Sequence, residues 1–223
     1  RHIECLLKYF GAYALQRPLT YADLEKEGQR VAKGGYVQIM PSRDRAGRLV
    51  VVSRESAPSK SSKKTKEKRV SDILKLSLYM WSVVSEDVET QKRGAIFIFS
   101  TDEEAQLMTD PKDREEYRLY REGIPVRCSC THFCLPESNP KMSKMRAIMM
   151  VAMPREELLR TRVHMDGLTA AQTQNDLTTF GIAASEIPIT CTGAIKTRSH
   201  LQWIRTRKAI DMARMKALEE CFH

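Results

Sequence analysis

Four side chains that could bind a metal or take part in catalysis alternate along one short segment of the sequence. Cys128, Cys130, His132 and Cys134 are spaced two residues apart, so on a β-strand all four would point to one face. Thiolates and imidazoles are zinc ligands, and a cysteine beside a histidine can serve as a nucleophile. Residues two apart on a strand are separated by about 6.6 Å, which is too wide for one tetrahedral ion without a bulge and unfavourable for a Cys–His hydrogen bond. We therefore favour a third interpretation, in which the cysteines act as small apolar side chains.

Two arginines, Arg160 and Arg162, lie near the end of Pro154–Met165, a segment whose pattern predicts a helix closed by Gly167. In one interpretation they only stabilise the C-terminus of that helix, where positive charge is favourable. In the other they bind phosphate, because a guanidinium forms bidentate, charge-assisted hydrogen bonds with phosphate oxygens. The residue pattern leaves both interpretations open.

A basic, low-complexity segment, Glu55–Arg69, contains no apolar side chain beyond Ala57 and Pro58. Such a composition predicts a flexible loop. The segment is either a solvated loop, an attractor of anionic membranes, or a nuclear-localisation signal in its Lys63–Arg69 part. The lysines concerned are Lys60, Lys63, Lys64, Lys66 and Lys68.

A stripe of methionines follows the alternating cysteines. It consists of Met142, Met145, Met149, Met150 and Met153, and residues 142–150 are predicted to form a short helix. Such a stripe serves either as core or as an adaptable surface for a ligand, since thioether side chains are flexible and polarisable.

The chain as a whole has the length of one domain with a small helical extension: 223 residues, with 42% hydrophobic and 29% charged side chains. Its net charge of +9 favours an anionic partner such as a membrane surface, a phospholipid headgroup or nucleic acid.

No apolar run approaches the roughly 20 residues of a membrane span, and the sparse cysteines indicate a reducing, cytoplasmic setting rather than a disulfide framework. Because the sequence starts at Arg1 and not at methionine, we expect the N-terminal region to be incomplete. No motif for a nucleotide, a cofactor or hydrolysis is present, so we expect neither enzymatic activity nor a cofactor.

The elements that must position these groups are organised around Val70–Phe99. Its first part predicts a buried helix that ends at Gly94, and Ala95–Phe99 predicts a strand buried on both faces, as in a sheet covered by helices on both sides. The remaining predicted elements are helices Arg1–Arg17, Tyr21–Lys33 (capped by Thr20 with Asp23), Thr169–Phe180 and Ile195–Phe222, and strands Leu49–Val52 and Val126–Cys134. The fold class is therefore α/β.

Three segments resemble CRAL-TRIO lipid-binding domains, in particular the tocopherol-transfer and retinaldehyde-binding type. Glu89–Ile96 (E-T-Q-K-R-G-A-I) resembles that family's helix–strand junction. Gly35–Val50 carries its G-Y and S-R-D-x-x-G pattern, and Pro154–Gly167 carries an R-x-R-x-H-x-x-G pattern. Together the resemblance spans about Leu6 to Gly193.

The resemblance implies a mixed, mainly parallel sheet flanked by helices, with residues 1–33 as an N-terminal helical region, 34–195 as the lipid-binding domain and 196–223 as a basic C-terminal helix outside the core sheet. It implies an internal pocket, with the methionine-rich helix as its gate. The residues we expect to line the pocket are Tyr79, Val83, Phe97, Phe99, Cys130, His132, Cys134, Met145 and Met149.

By the same resemblance, Arg127, Arg160 and Arg162 would bind a lipid phosphate. Leu158 and Val126 depart from the family pattern where it carries a further lysine and an inositol-reading glutamate, so phosphate binding is favoured over inositol discrimination. We expect the chain to carry a hydrophobic lipid between membranes as a peripheral cytoplasmic protein, without nucleic acid as a partner. The alternative is a basic nuclear or nucleic-acid-associated regulatory protein.

Overall fold

The computed structural model describes residues 1–55, 66–101, 115, 118–119, 121–134, 155–164, 169–183, 187 and 196–221. Five strands of these residues form one sheet in the order β1-β2-β3-β4-β5. The strand β1 is antiparallel to β2, and the other neighbouring strands are parallel. This confirms the expected α/β class with a mixed, mainly parallel sheet. The strands are β1 Val37–Arg43, β2 Leu49–Glu55, β3 Ala95–Thr101, β4 Cys128–Cys134 and β5 Thr161–His164.

Helices flank the sheet. They are α1 His2–Phe10, α2 Lys26–Lys33, α3 Lys66–Val84, α4 Val88–Arg93, α5 Arg155–Leu158, α6 Ala170–Thr179 and α7 Arg198–Cys221, with 3₁₀ turns at Ala12–Leu15 and Tyr21–Asp23. The described positions between 115 and 122 are also helical. No helix in the described part of the chain is both long enough and apolar enough to cross a membrane.

The central strand β3 divides the core into two clusters because its side chains alternate between the faces of the sheet. On the first face, Ala95 and Phe97 pack with side chains of α1, α2, α3 and α7. On the second face, Ile96 and Ile98 pack with β1, β2 and Leu177 of α6. The sequence predicted Ala95–Phe99 to be a strand buried on both faces, and the structure confirms this strand.

The junction between α3 and β3 differs from the single long helix that was predicted. The helix α3 ends at Val84, and Asp87 then caps α4 by accepting the Thr90 N–H at 2.9 Å. Arg43, at the end of β1, donates to Asp87 and to Thr90 Oγ1, the latter at 3.0 Å. Two of the three segments that resemble CRAL-TRIO domains therefore meet in space at this point.

The two N-terminal helices are shorter than predicted. The helix α1 ends at Phe10 because Gly11 has φ +83°, which a helix cannot continue. The second predicted helix is a 3₁₀ turn followed by α2, and its predicted cap is present, with Asp23 accepting the Thr20 N–H at 2.7 Å.

The C-terminal helix α7 was expected outside the core, but one of its faces is part of it. Ile204 is buried in the first cluster, and His200 donates to the Ala32 carbonyl at 2.6 Å. Asp211 accepts hydrogen bonds from the Tyr21 N–H at 2.8 Å and the Tyr79 hydroxyl at 2.9 Å. Residues of all three predicted regions thus share one hydrophobic cluster.

The prediction of a flexible loop over Glu55–Arg69 is wrong at both ends of the segment, because Glu55 ends β2 and Lys66–Arg69 begin α3. Lys60, Lys63 and Lys64 lie outside the described residues.

Candidate functional site

A β-bulge in β4 separates the four alternating side chains. Ala95 pairs with Cys128, but the next residue of β3, Ile96, pairs with Cys130. Ser129 is therefore an extra residue, and the alternation of side chains shifts at that point. Cys128 lies on the first face, whereas Cys130, His132 and Cys134 lie on the second. The prediction that all four share one face is wrong for Cys128.

On the second face, four side chains from β4, β5 and α6 form a continuous chain of polar contacts. Cys130 Sγ lies 3.4 Å from His132 Nε2, and His132 Nδ1 lies 2.8 Å from His164 Nε2. His164 Nδ1 in turn contacts Asp176 Oδ2. We call these four residues the Cys–His–His–Asp relay. The prediction that strand geometry disfavours a Cys–His hydrogen bond is wrong here, because the imidazole of His132 extends along the strand toward Cys130.

Three elements place the four members, since Cys130 and His132 both lie on β4. The pairing of β4 with β5 sets His164 opposite Cys134, two residue pairs beyond His132 and Arg162. The helix α6 is capped by Thr169, whose Oγ1 accepts the Gln172 N–H at 3.2 Å. About two turns later its Leu177 is buried in the second cluster. The anchoring of Leu177 holds the preceding residue, Asp176, beside His164.

The two imidazoles are enclosed, with His132 only 1% and His164 5% exposed. Their rings stack at 5.1 Å between centroids, and the Phe180 ring packs edge-on against both, at 4.9 Å and 5.7 Å. Burial, together with the neighbouring His164 and Arg48, lowers the pKa of His132 to about 4. Burial likewise raises the pKa of the Cys130 thiol. At neutral pH His132 is therefore uncharged and the thiol keeps its proton.

When both imidazoles are neutral, the contacts fix the direction of every hydrogen bond in the relay. Because the Asp176 carboxylate only accepts, His164 Nδ1 donates to it and His164 Nε2 must accept. His132 Nδ1 then donates to His164, which leaves His132 Nε2 to accept from the Cys130 thiol. A proton leaving Cys130 thus has a continuous path toward Asp176.

Two cations influence the relay. Arg162 lies beside His132 across the β4–β5 pair, and Arg48 immediately precedes β2. The charges of both favour deprotonation of Cys130 and disfavour protonation of His132. Arg48 is ion-paired with the buried carboxylate of Asp44 at 2.6 Å, so among the described residues Arg162 is the less compensated of the two.

The residues predicted to line one lipid pocket are not brought together. Tyr79, Val83, Phe97 and Phe99 belong to the first cluster, whereas Cys130, His132 and Cys134 lie on the second face. The sheet separates the two groups, so the prediction of one shared cavity is wrong. Met145 and Met149 lie outside the described residues.

Among the described residues, the second face carries a small cavity of about 10 Å³, which is close to the room one water molecule needs. It is lined by Met40, Ser42, Arg43, Val50, Val52, Ile98, Ile182, Ala183 and Ile187. A lipid needs far more space than this, so a lipid pocket requires segments beyond the described residues or a rearrangement of this face.

The three arginines predicted to bind phosphate lie at the beginnings of β4 and β5. The carbonyls of Arg127 and Arg160 accept the N–H groups of Ala95 and Thr131, each at 3.0 Å, and Arg162 is the second residue of β5. The predicted helix over 154–165 is wrong after Leu158, because pairing with β4 draws Thr161–His164 into the sheet. Arg162 is therefore not a helix-end charge. All three arginines are exposed.

His164 and Asp176 were not predicted to be members of a site. His164 was assigned to a helix, which concealed its pairing with β4, and Asp176 carries no local signal beyond its place in a capped helix.

In the described part of the chain, no group of three or more His, Cys, Asp or Glu side chains is arranged to hold a metal ion. In the relay, the imidazole nitrogens are already engaged with one another.

No family model matches the sequence, and no curated protein is similar to it. The class that the fold defines is an α/β protein with a five-stranded mixed sheet, and its function must be argued from its own residues.

The buried histidine predicts an acid-sensitive fold. Between pH 6.5 and 4 the unfolded chain binds a proton at residue 132 that the native protein does not, so the free energy of unfolding should fall as the pH falls through this window. At about 1.4 kcal/mol for each pH unit, the loss from His132 reaches about 3 kcal/mol. Urea unfolding at several pH values should show this slope in the wild type and a shallower one in His132→Gln. An equal slope in the two proteins would contradict the assignment.

Proposed function

We propose that this protein binds a hydrophobic lipid against the second face of its sheet and carries it between membranes. The observation that supports this most is the composition of that face. Its cluster is formed by aliphatic and sulfur-containing side chains of β1, β2, β3 and β4. In the sequence, β4 leads into the methionine-rich segment 142–153, which the resemblance to CRAL-TRIO domains would make the gate of the pocket. Each buried CH₂ group of a lipid would contribute about 0.8 kcal/mol to binding.

The resemblance to CRAL-TRIO domains gains support from the contact of Arg43 with Asp87 and Thr90. Arg43 and Thr90 belong to two segments that were matched separately in the sequence, and their hydrogen bond joins the two at one junction. A fold that needs this junction would retain the residues of both.

An anionic headgroup would bind at the exposed arginines at the beginnings of β4 and β5. Arg127, Arg160 and Arg162 lie at neighbouring strand ends, and the chain carries a net charge of +9. Charge-assisted hydrogen bonds from arginine to phosphate contribute about 1.5–3 kcal/mol each. The basic surface would also draw the protein to anionic bilayers as a peripheral partner.

Extraction of the purified protein with organic solvent, followed by mass spectrometry, tests the lipid. We expect a co-purified lipid at a substantial fraction of one per chain. Nucleic acid absorbance in the purified protein, with no extracted lipid, would instead favour the alternative of a nucleic-acid-associated regulatory protein.

Arg162→Ala is expected to weaken binding to phosphoinositide-containing vesicles by roughly 10- to 150-fold, the equivalent of one lost arginine–phosphate interaction. Arg205→Ala, which removes an exposed arginine of α7, is the matched control and should have little effect at high salt. Binding is measured by vesicle sedimentation at low and high salt.

A variant with Lys60, Lys63, Lys64, Lys66 and Lys68 changed to Gln separates local from long-range attraction. It should bind more slowly at low salt and nearly normally at high salt, because screening removes long-range attraction. If Arg162→Ala loses no more affinity than this variant at high salt, the headgroup does not bind at Arg162.

A further inference from the structure

We propose that Cys130 is a nucleophilic thiol, activated by the Cys–His–His–Asp relay, that reacts with electrophiles carrying a negative charge. Non-covalent lipid binding has no need of a nucleophile, so this activity goes beyond the function proposed above. The site comprises Cys130, His132, His164 and Asp176, with Arg162 beside it.

The arrangement has the three parts that an activated nucleophile requires: a nucleophile, a base in contact with it, and a group that orients the base. Cys130 Sγ lies 3.4 Å from His132 Nε2, and His164 holds the other side of the His132 ring at 2.8 Å. Asp176 fixes the His164 ring through its Nδ1. Cys130 is partly exposed, whereas the two histidines are buried; reaction of Cys130 with a small reagent therefore requires access only to the cysteine.

A second histidine has a clear physical purpose here. Burial and the nearby cations Arg48 and Arg162 make a positive charge on His132 unfavourable. Passing the proton on to His164 moves that charge away from His132 and places it next to the Asp176 carboxylate. The relay therefore separates the group that receives the proton from the group that holds the charge.

The reaction balances as a simple displacement. The sulfur of Cys130 attacks an electrophilic carbon, a sulfur–carbon bond forms, and the bond to the leaving group breaks with its electron pair. The thiol proton passes to His132 Nε2, and the proton on His132 Nδ1 passes to His164 Nε2. His164 becomes an imidazolium against Asp176, and this proton later returns to solvent.

The expected preference of Cys130 for negatively charged electrophiles follows from the positive charge of Arg162. Arg162 lies across the strand pair from His132, on the face where Cys130 lies, and its charge favours an anionic reagent approaching the sulfur. A carboxylate or phosphate on the electrophile would satisfy it.

Alkylation of the intact protein by iodoacetate and by iodoacetamide, followed residue by residue by peptide mass spectrometry, tests the proposal. Between pH 5 and 8 the Cys130 rate should be nearly constant, since a neutral thiol and a neutral base are both present throughout. Exposed Cys221 is the internal reference, and free cysteine in the same buffers supplies the profile of an unassisted thiol, whose rate rises about tenfold per pH unit below its pKa. Iodoacetate should be favoured at Cys130 relative to Cys221, and Arg162→Gln should reduce that preference several-fold.

Asp176→Asn should slow Cys130 alkylation at pH 6 by at least tenfold, in line with the 10²–10⁴ that general bases contribute, and should restore a rate that rises with pH. Asp176→Glu should rescue it. Because Asp176 is half-exposed on α6 and takes no part in the proposed headgroup site, lipid extraction from Asp176→Asn should be unchanged. A wild-type Cys130 rate that rises with pH in parallel with Cys221 would overturn the proposal, as would a folded Asp176→Asn that reacts like the wild type. If Asp176→Asn does not fold, the wild-type pH profile decides alone.

Discussion

Replacing Asp211 by alanine is expected to lower the free energy of unfolding by about 3–5 kcal/mol, the range for breaking a buried ion pair from one side. Asp211 is 4% exposed and its partner Arg207 is 5% exposed, with Arg207 Nε 2.7 Å from Asp211 Oδ1. The same carboxylate accepts from the Tyr21 N–H and the Tyr79 hydroxyl. Its removal would leave part of a buried positive charge uncompensated and take the acceptor from two buried donors.

Urea unfolding measures this loss directly. Lys216→Ala is the matched control on the same helix, because the Lys216–Glu220 pair is exposed and 3.7 Å apart, and such pairs contribute between about 0 and 1 kcal/mol. Asp211→Asn, which keeps an acceptor for Tyr79 but loses the charge, should lie between the two. A loss below about 1 kcal/mol in Asp211→Ala would show that the pair with Glu86 alone suffices for Arg207.

The second large effect is expected at Gly94. Gly94 and Gly11 have almost the same backbone conformation, with φ, ψ of 79°, −170° and 83°, −176°. This region is nearly exclusive to glycine and costs other residues about 1–3 kcal/mol. A Cβ at Gly11 would meet nothing within 4 Å, but one at Gly94 would lie 2.5 Å from the Arg127 carbonyl oxygen and would also collide with Ser129 Oγ.

Gly11→Ala therefore measures the conformational cost alone, about 1–3 kcal/mol, and Gly94→Ala should cost about 1–3 kcal/mol more, the typical cost of overpacking. The Arg127 carbonyl accepts the Ala95 N–H at 3.0 Å, so it cannot retreat without opening the start of the β3–β4 pair. Thermal unfolding of both variants gives the comparison. Equal losses would mean that the backbone shifts to absorb the added methyl group.

The elements that were predicted well depend on local signals. The strand Ala95–Phe99 was identified from an uninterrupted apolar run, and the helix predicted over Thr169–Phe180 agrees with α6 to within one residue at each end. In both cases the residues that define the element lie within it. The same holds for the capping contact between Thr20 and Asp23, although the helix expected after it is broken by a 3₁₀ turn.

The features that were missed depend on pairing between distant residues. The strand β5 has four residues and exists because Thr161–His164 pairs with β4, which overrides a helical pattern. The bulge at Ser129 is likewise a property of two strands together, yet it decides which cysteine faces the histidines. The relay joins residues 130, 132, 164 and 176 through both features, so a sequence read one segment at a time could not assemble it.

The contacts of α7 also constrain the order in which the chain can fold. Tyr21 and Asp211 are 190 residues apart, and Ala32 and His200 are 168 apart. During synthesis the N-terminal helices leave the ribosome long before their partner does. At about 5–20 residues per second, some ten to forty seconds pass in which their apolar faces lack α7. A chaperone that shields residues 1–33 during this interval should therefore raise the yield of folded protein more than one that acts after release.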